Sequence, residues 1–405
     1  MSNFAFGTYR ITDNNPEHIQ ALVEAIEAGV RVIDTSTNYM NGSAEKAIAK
    51  ALRHFDDDIR AEIEIVSKFG YIQGSNMASH KEEPFEDVVE YSESCFHSIS
   101  KSFMLHQLEQ SLLRLELTQI DCYLLHNPEY YIFNALNKGM QRDEALDNMF
   151  DRIFDVFVAL EEQVSNGTIK SYGISSNSFS KEHNDSEFLP YEDLVTLADK
   201  AAEITGNEKH SFTTIQLPIN MLETEGLKCA MWAKKNGLRV LVNRPLNAQD
   251  GELMYRLADY DESREYYNHL NELLNISDND ELRSLYNLVE QLDDNKHKYG
   301  WIGDYDSFLY SQIIPHIQKS LEGIDAQNFE TLFTYIDMFL KEYRKMVSYE
   351  CTKSTKIQLK EKLGTCSASL QECALKFLLE CESIDYILVG MRKSSYVHDI
   401  MALKE

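Results

Sequence analysis

Positive charge is scarce in this chain. Its 405 residues carry 39 Lys+Arg against 66 Asp+Glu, a formal net charge of −27 at pH 7. That balance argues against nucleic acid as a principal partner, because each phosphate contact needs a cation and releases a counterion. It argues equally against an anionic membrane surface, which clustered Lys and Arg bind. No apolar run approaches the roughly 20 residues of a membrane span, and no basic-then-apolar segment opens the chain, so a soluble cytoplasmic protein is expected. Glycine and proline are few, 17 and 7, which disfavours disorder and turn-rich all-β folds. The seven cysteines (Cys95, Cys122, Cys229, Cys351, Cys366, Cys373, Cys381) form no C-x-x-C. Neither a disulfide framework nor a cysteine zinc site is expected, but reduced thiols, with Cys122 buried in an apolar strand.

What is present is an alternation. Strand-like runs fall at Phe4 to Tyr9, Val30 to Ile33, Ile63 to Val66, Ile120 to Leu125, Ser171 to Ser175, Thr213 to Leu217, Leu238 to Val242 and Ile384 to Val389. Helical patterns separate them. Asn15-Pro16 reads as an N-cap with Pro at the first helical position, followed by Ile19, Leu22, Val23 and Ile26 at helical spacing and Gly29 as a stop. Eight strands with helices between them predict a parallel sheet closed as a (β/α)8 TIM barrel. An open doubly wound sheet is the competitor, but the turn after Ile33 reads Asp-Thr-Ser-Thr-Asn-Tyr and carries no Gly-rich fingerprint.

The alternation stops between about 250 and 364. Leu282, Leu285, Leu288, Val289 and Leu292, then Phe329, Leu332, Phe333, Ile336, Phe339, Leu340 and Tyr343, keep helical spacing, and no strand-like run interrupts them. Residues 251–350 hold 20 acidic and 9 basic side chains. A helical insertion in the loop after strand seven is expected. It is read either as a wall of the active-site face, together with an acidic loop from His80 to Glu93, or as packing outside the barrel. Its acidity makes it a candidate surface for a protein partner.

Strand ends in a parallel barrel converge on one face, where catalysis occurs. Strand two ends at Asp34, strand three runs to Lys68, strand four ends at His126, and Tyr39 sits five residues beyond Asp34. Each has a structural reading of its own: a helix cap, a snorkelling ammonium, a core imidazole, a packed ring. Four such groups in order on consecutive strands form instead an acid, a cation, an imidazole and a phenol around one mouth. No His/carboxylate ligand cluster is evident, so no metal is expected.

These residues resemble the aldo-keto reductase family. The matching stretches include Gly7-Thr8-Tyr9, Val32-Ile33-Asp34-Thr35-Ser36 with Tyr39, and Glu45 in Gly-Ser-Ala-Glu-Lys-Ala. Further matches are Val66-Ser67-Lys68, Tyr123-Leu124-Leu125-His126, Gly173-Ile174-Ser175, Gln216 with Asn220, Pro245-Leu246, and Val389-Gly390-Met391-Arg392. The resemblance implies an oxidoreductase that reduces aldehyde or ketone carbonyls, or oxidises the alcohols. In it Tyr39 is the general acid, Lys68 lowers its pKa, Asp34 holds Lys68 charged and His126 orients the substrate oxygen. It implies NADP(H), with NAD(H) left open. The carboxamide falls to Ser175, to either Ser176 or Asn177, and to Gln216. Asn243 stands where an aromatic residue commonly stacks on the nicotinamide, and Arg244, Arg392 and Lys393 are candidates for the phosphates. Tyr396 occupies the place of a usual adenosine-side Arg. No counterpart is expected for the N-terminal hairpin and the C-terminal pocket loop found in many relatives. A nucleotide-binding regulatory or scaffold protein with little turnover is the alternative reading.

Overall fold

The computed structural model describes residues 3–251, 253–322, 326–364 and 366–403. Eight parallel strands close a barrel, and all eight lie where the sequence predicts them. They are β1 (Phe4–Gly7), β2 (Val32–Asp34), β3 (Glu64–Phe69), β4 (Ile120–His126), β5 (Ile169–Ser175), β6 (Phe212–Pro218), β7 (Arg239–Asn243) and β8 (Tyr386–Val389). Neighbours in sequence are neighbours in the barrel, and β8 closes on β1. Ala5, Val32, Val66, Cys122, Leu124, Leu241 and Leu388 cluster in a buried core within this sheet, the apolar fill a barrel of this size requires.

Local chemistry explains the helices that return the chain between strands. Asn15 caps the helix Pro16–Glu27 by accepting from the Glu17 amide, and Gly29, at φ 93°, turns the chain into β2. Ser100 caps Lys101–Leu115 through the Phe103 amide. Register then aligns the mouth. His126 of β4 stands opposite Ser175 of β5, and Ser175 opposite Gln216 of β6, so three polar strand ends share one level.

The chain divides into two compact units. The barrel unit comprises residues 3–219, 223–245 and 376–403, and the second unit residues 220–222 and 246–375. The second unit is largely helical, as expected, with Tyr266–Ser277, Arg283–Asn295 and the 33-residue Ala326–Gln358 as its main helices. Leu285, Val289, Ile336, Phe339 and Tyr343 bury its core, and the Tyr343 hydroxyl donates to the Leu292 carbonyl at 2.7 Å. Burial of that apolar surface drives the packing.

Three expectations are corrected here. The second unit begins with an antiparallel hairpin, Asn247–Asp250 against Leu253–Arg256, although no strand was legible there. Four-residue strands turned at Gly251 (φ 61°) are too short to register against the helical periodicity around them. The stretch containing His80 to Glu93 is not a plain loop. The helix Ser75–Glu82 lies within it, and Val89–Ser92 pairs with Cys95–His97, which in turn pairs with Tyr71–Ile72. Finally, Cys366 and Cys373 are joined in a disulfide, their Cα atoms 6.1 Å apart. A seven-residue separation matches no metal or redox spacing, and only folding at the start of the helix Leu370–Leu379 brings the pair within bonding reach. Cys122 is buried and free, as predicted. Among the described residues no helix is long and apolar enough to cross a membrane.

Candidate active site

The ends of β2, β3 and β4 bring the four predicted chemical residues together. Lys68 is 0% exposed and Asp34 3%. The Lys68 ammonium donates to the Asp34 carboxylate at 2.8 Å, to the Thr35 carbonyl at 2.7 Å and to the Tyr39 phenol oxygen at 3.3 Å. Its three protons therefore have three acceptors, and one of them is the phenol. Tyr39 opens a short turn, Tyr39–Gly42, whose Met40 and Asn41 adopt positive φ. That strained backbone folds the ring back over the mouth, edge-on to Tyr9 at 5.2 Å between centroids. The His126 ring lies 6.1 Å from the Tyr39 ring, with Tyr71 edge-on behind it at 4.8 Å.

Burial governs the electrostatics. It pushes the Tyr39 phenol well above its ordinary range, with the Asp34 charge and Tyr9 adding to the effect. Desolvation of the phenolate carries this direction, and the Lys68 ammonium, which was expected to lower the pKa, is committed to Asp34. Burial likewise raises Asp34 against the pull of Lys68 and lowers Lys68 against the pull of Asp34. His126 is held far below the usual imidazole value by burial, then by Lys68 and His97, so it is neutral at physiological pH. Its Nδ1 lies 3.1 Å from the Ser36 hydroxyl, and Ser36 donates to Asn38 at 2.7 Å.

The predicted cofactor residues divide into two groups. Ser175 donates to Gln216 Oε1 at 2.9 Å, and Gln216 Nε2 donates to Asp34 at 2.7 Å. Carboxamide candidates and acid–base candidates thus form one hydrogen-bonded chain. Ser176 is buried and donates to Glu129 at 2.9 Å, whereas Asn177 is exposed. Asn243 ends β7 half-buried, and its buried Oδ1 has no hydrogen-bond partner among the described residues. Arg244 follows at φ 53° and pairs with Glu223 at 2.8 Å. Arg392 is half-buried and Lys393 exposed just before the helix Ser394–Ala402.

Known proteins bear on the family and the fold. A model of the aldo/keto reductase family matches residues 3–404, essentially the whole chain. The chain belongs to the aldo/keto reductase family. Prostaglandin F synthase 1 of Bos taurus is 27% identical over 174 residues, which is 42% of this chain and 46% of that protein. An uncharacterised oxidoreductase of Bacillus subtilis (strain 168) is 25% identical over 176 residues, 44% of this chain and 45% of its own. The chain therefore spans about half the length of these curated relatives. Among solved structures, the holo form of an aldo-keto reductase from Bacillus halodurans shares 16% identity at a TM-score of 0.50, covering 100% of this chain and 87% of that one. A glycerol dehydrogenase from Gluconobacter oxydans gives 17% identity at 0.50 with the same coverage. At such identity these two structures speak for the fold.

Aldo/keto reductase motifs did not point to Glu129 or Tyr71, and gave no role to Ser36 within its matching stretch, though all three contact the predicted residues. Glu129 follows Asn127-Pro128, and a carboxylate three residues beyond a strand-end histidine was the one signal available. Among the described residues no group of three or more His, Cys, Asp or Glu is placed to hold a metal ion.

Proposed function

We propose that this aldo/keto reductase family member is an NADP(H)-dependent oxidoreductase acting on aldehyde or ketone carbonyls, or on the corresponding alcohols. One observation carries the reading: the fully buried Lys68 ammonium bridges Asp34 and the Tyr39 phenol at the barrel mouth. A barrel that only had to fold would not bury an ion pair there, since desolvating two charges costs several kcal/mol per ion.

The residues present fit the cofactor. Ser175 and Gln216 offer a hydroxyl and an amide at adjacent strand ends, and Asn243 Oδ1 is a buried acceptor without a partner among the described residues. Arg244, Arg392 and Lys393 are cations on the loops after β7 and β8, where barrels of this kind bind phosphate. Arg392 suits the adenosine 2′-phosphate, which favours NADP(H) over NAD(H). When bound, the nicotinamide supplies the hydride, or takes it up in the oxidising direction.

The chain's own groups handle the proton. With its pKa raised, Tyr39 keeps its proton at every physiological pH and loses it only as the substrate oxygen gains negative charge. At that moment Lys68, 3.3 Å away, stabilises the developing phenolate, and Asp34 keeps the ammonium aimed. With the Ser36 hydroxyl turned from Asn38 to donate to Nδ1, neutral His126 carries its proton on Nε2 and orients the substrate oxygen from there. The test follows NADPH and NADH oxidation with a panel of aldehydes and quinones, for the wild type and Tyr39→Phe. Loss of about 10²–10⁴-fold in kcat with unchanged NADPH affinity is expected. Equal turnover in both proteins removes Tyr39 as the acid. Tight NADPH binding without turnover in the wild type favours a regulatory nucleotide binder.

A further inference from the structure

Glu129 lies just beyond β4 and is 1% exposed. Its carboxylate contacts three consecutive residues of the loop after β5. Oε2 accepts from the Ser176 hydroxyl at 2.9 Å, and Oε1 accepts from the amides of Asn177 at 3.0 Å and Ser178 at 3.4 Å. Asn127, two residues earlier, adds to the hold, its Oδ1 accepting from the amide and the side chain of Asn177, each at 3.3 Å. Among the described residues no cation pairs with Glu129. The titratable groups that feel its charge are the Tyr71 and Tyr130 phenols, both raised by burial and neutral. A buried carboxyl held only by neutral donors is costly to keep charged, and such groups persist when something needs them.

We propose that Glu129 is a positioning residue that clamps the loop after β5, and through it sets how firmly Ser175 and Asn177 are held for the nicotinamide end of the cofactor. The proposal rests on the cofactor reading above. It explains why the chain carries Ser175-Ser176-Asn177: Ser176 serves the clamp, which leaves Ser175 facing Gln216 and Asn177 exposed.

The bonds from Ser176, Asn177 and Ser178 favour the carboxylate, but burial outweighs them, so the closed loop as a whole favours the neutral acid. Burial raises its pKa to about 7, while a loop that opened would return it towards the ordinary carboxylate value. The closed loop therefore binds the proton more tightly than the open one, and raising the pH through 7 favours opening. In the neutral acid, Oε1 still accepts both amides and the acid proton turns to Ser176. A glutamine at this position reproduces that pattern without titrating.

NADPH affinity of the wild type, E129Q and E129A, measured by fluorescence between pH 6 and 8.5, tests this. Relative to E129Q, the wild type is expected to weaken by about tenfold across the range. E129Q should hold the wild-type affinity of pH 6 throughout, and E129A should bind weakly at both ends. Parallel profiles for wild type and E129Q, or full affinity in E129A, overturn the clamp. Amide exchange at residues 176–178 of the wild type, corrected for its intrinsic pH dependence, needs neither a variant nor cofactor. Protection that falls above pH 7 supports the clamp, and protection that stays constant overturns it. Absence of NADPH binding in all three proteins refutes the cofactor reading instead, and the exchange measurement still decides the clamp.

Discussion

Two corners of one barrel mouth are built on opposite principles. At the ends of β2 to β4, Asp34 and Lys68 are buried and bonded to each other, and buried His126 meets the Ser36 hydroxyl. At the ends of β7 and β8, Arg244, Arg392 and Lys393 are half-buried or exposed. On the proposed function, the difference follows from what each corner would handle. A proton moves over a fraction of an ångström, so its donors must be aimed beforehand in a dry site, where each dipole acts most strongly. A polyanion arrives from water, and Arg392 and Lys393, which keep some of their solvation until it binds, cost little to keep charged, while Arg244 is held by Glu223. On that reading, Arg244, Arg392 and Lys393 would offset the chain's overall acidity where an anionic cofactor binds.

If the first corner is a dry, paired site, Lys68→Met should do the greatest damage. It leaves Asp34 buried without its cation, and about 3–5 kcal/mol of stability should be lost in denaturant melts. Adding Asp34→Asn should restore most of that stability but no turnover. A single variant as stable as the wild type would break the contrast.

The same dryness predicts a pH effect from His97, which donates to the His126 carbonyl at 2.7 Å and is pushed down to about 4, mainly by burial. A lowered imidazole pKa means that the unfolded chain binds the extra proton. Its contribution is therefore complete above pH 6.5 and is lost as the pH falls towards 4. On the order of 3 kcal/mol is at stake. Thermal melts across this window should slope for the wild type and flatten for His97→Asn.

At the second corner Arg392→Ala should weaken NADPH binding about tenfold, less so at high salt, with the melting temperature unchanged. Lys393→Ala should change either quantity least, within about twofold, because its ammonium is already in water. If Lys393 proves the more important, the phosphate lies nearer the helix start than its neighbour implies.

Much of this was legible in the chain itself. The eight strands, the Asn15 cap and the residues at the mouth are local statements: a β-branched run, a capping side chain, a polar residue where a run ends. Those signals need only neighbours in sequence, and the barrel preserved them. The Asn247–Asp250 hairpin was missed because two short strands are weaker than the helical pattern around them. The Cys366–Cys373 bond was missed because spacing alone does not bring two sulfurs together.

The sequence by itself determined the barrel, the family and which four groups would meet at the mouth, because hydrophobic period and strand-end chemistry are written residue by residue. Only the tertiary structure decided how those groups behave. Gln216 and Asp34 bond across 182 positions of sequence because strand register brings them to one level. Tyr39 holds its proton more tightly than a free phenol because it is buried beside the Asp34 charge. Glu129 grips the next loop because two strand ends are neighbours in a closed sheet. Distance and dielectric fix each of these outcomes, and both exist only once the chain has closed on itself.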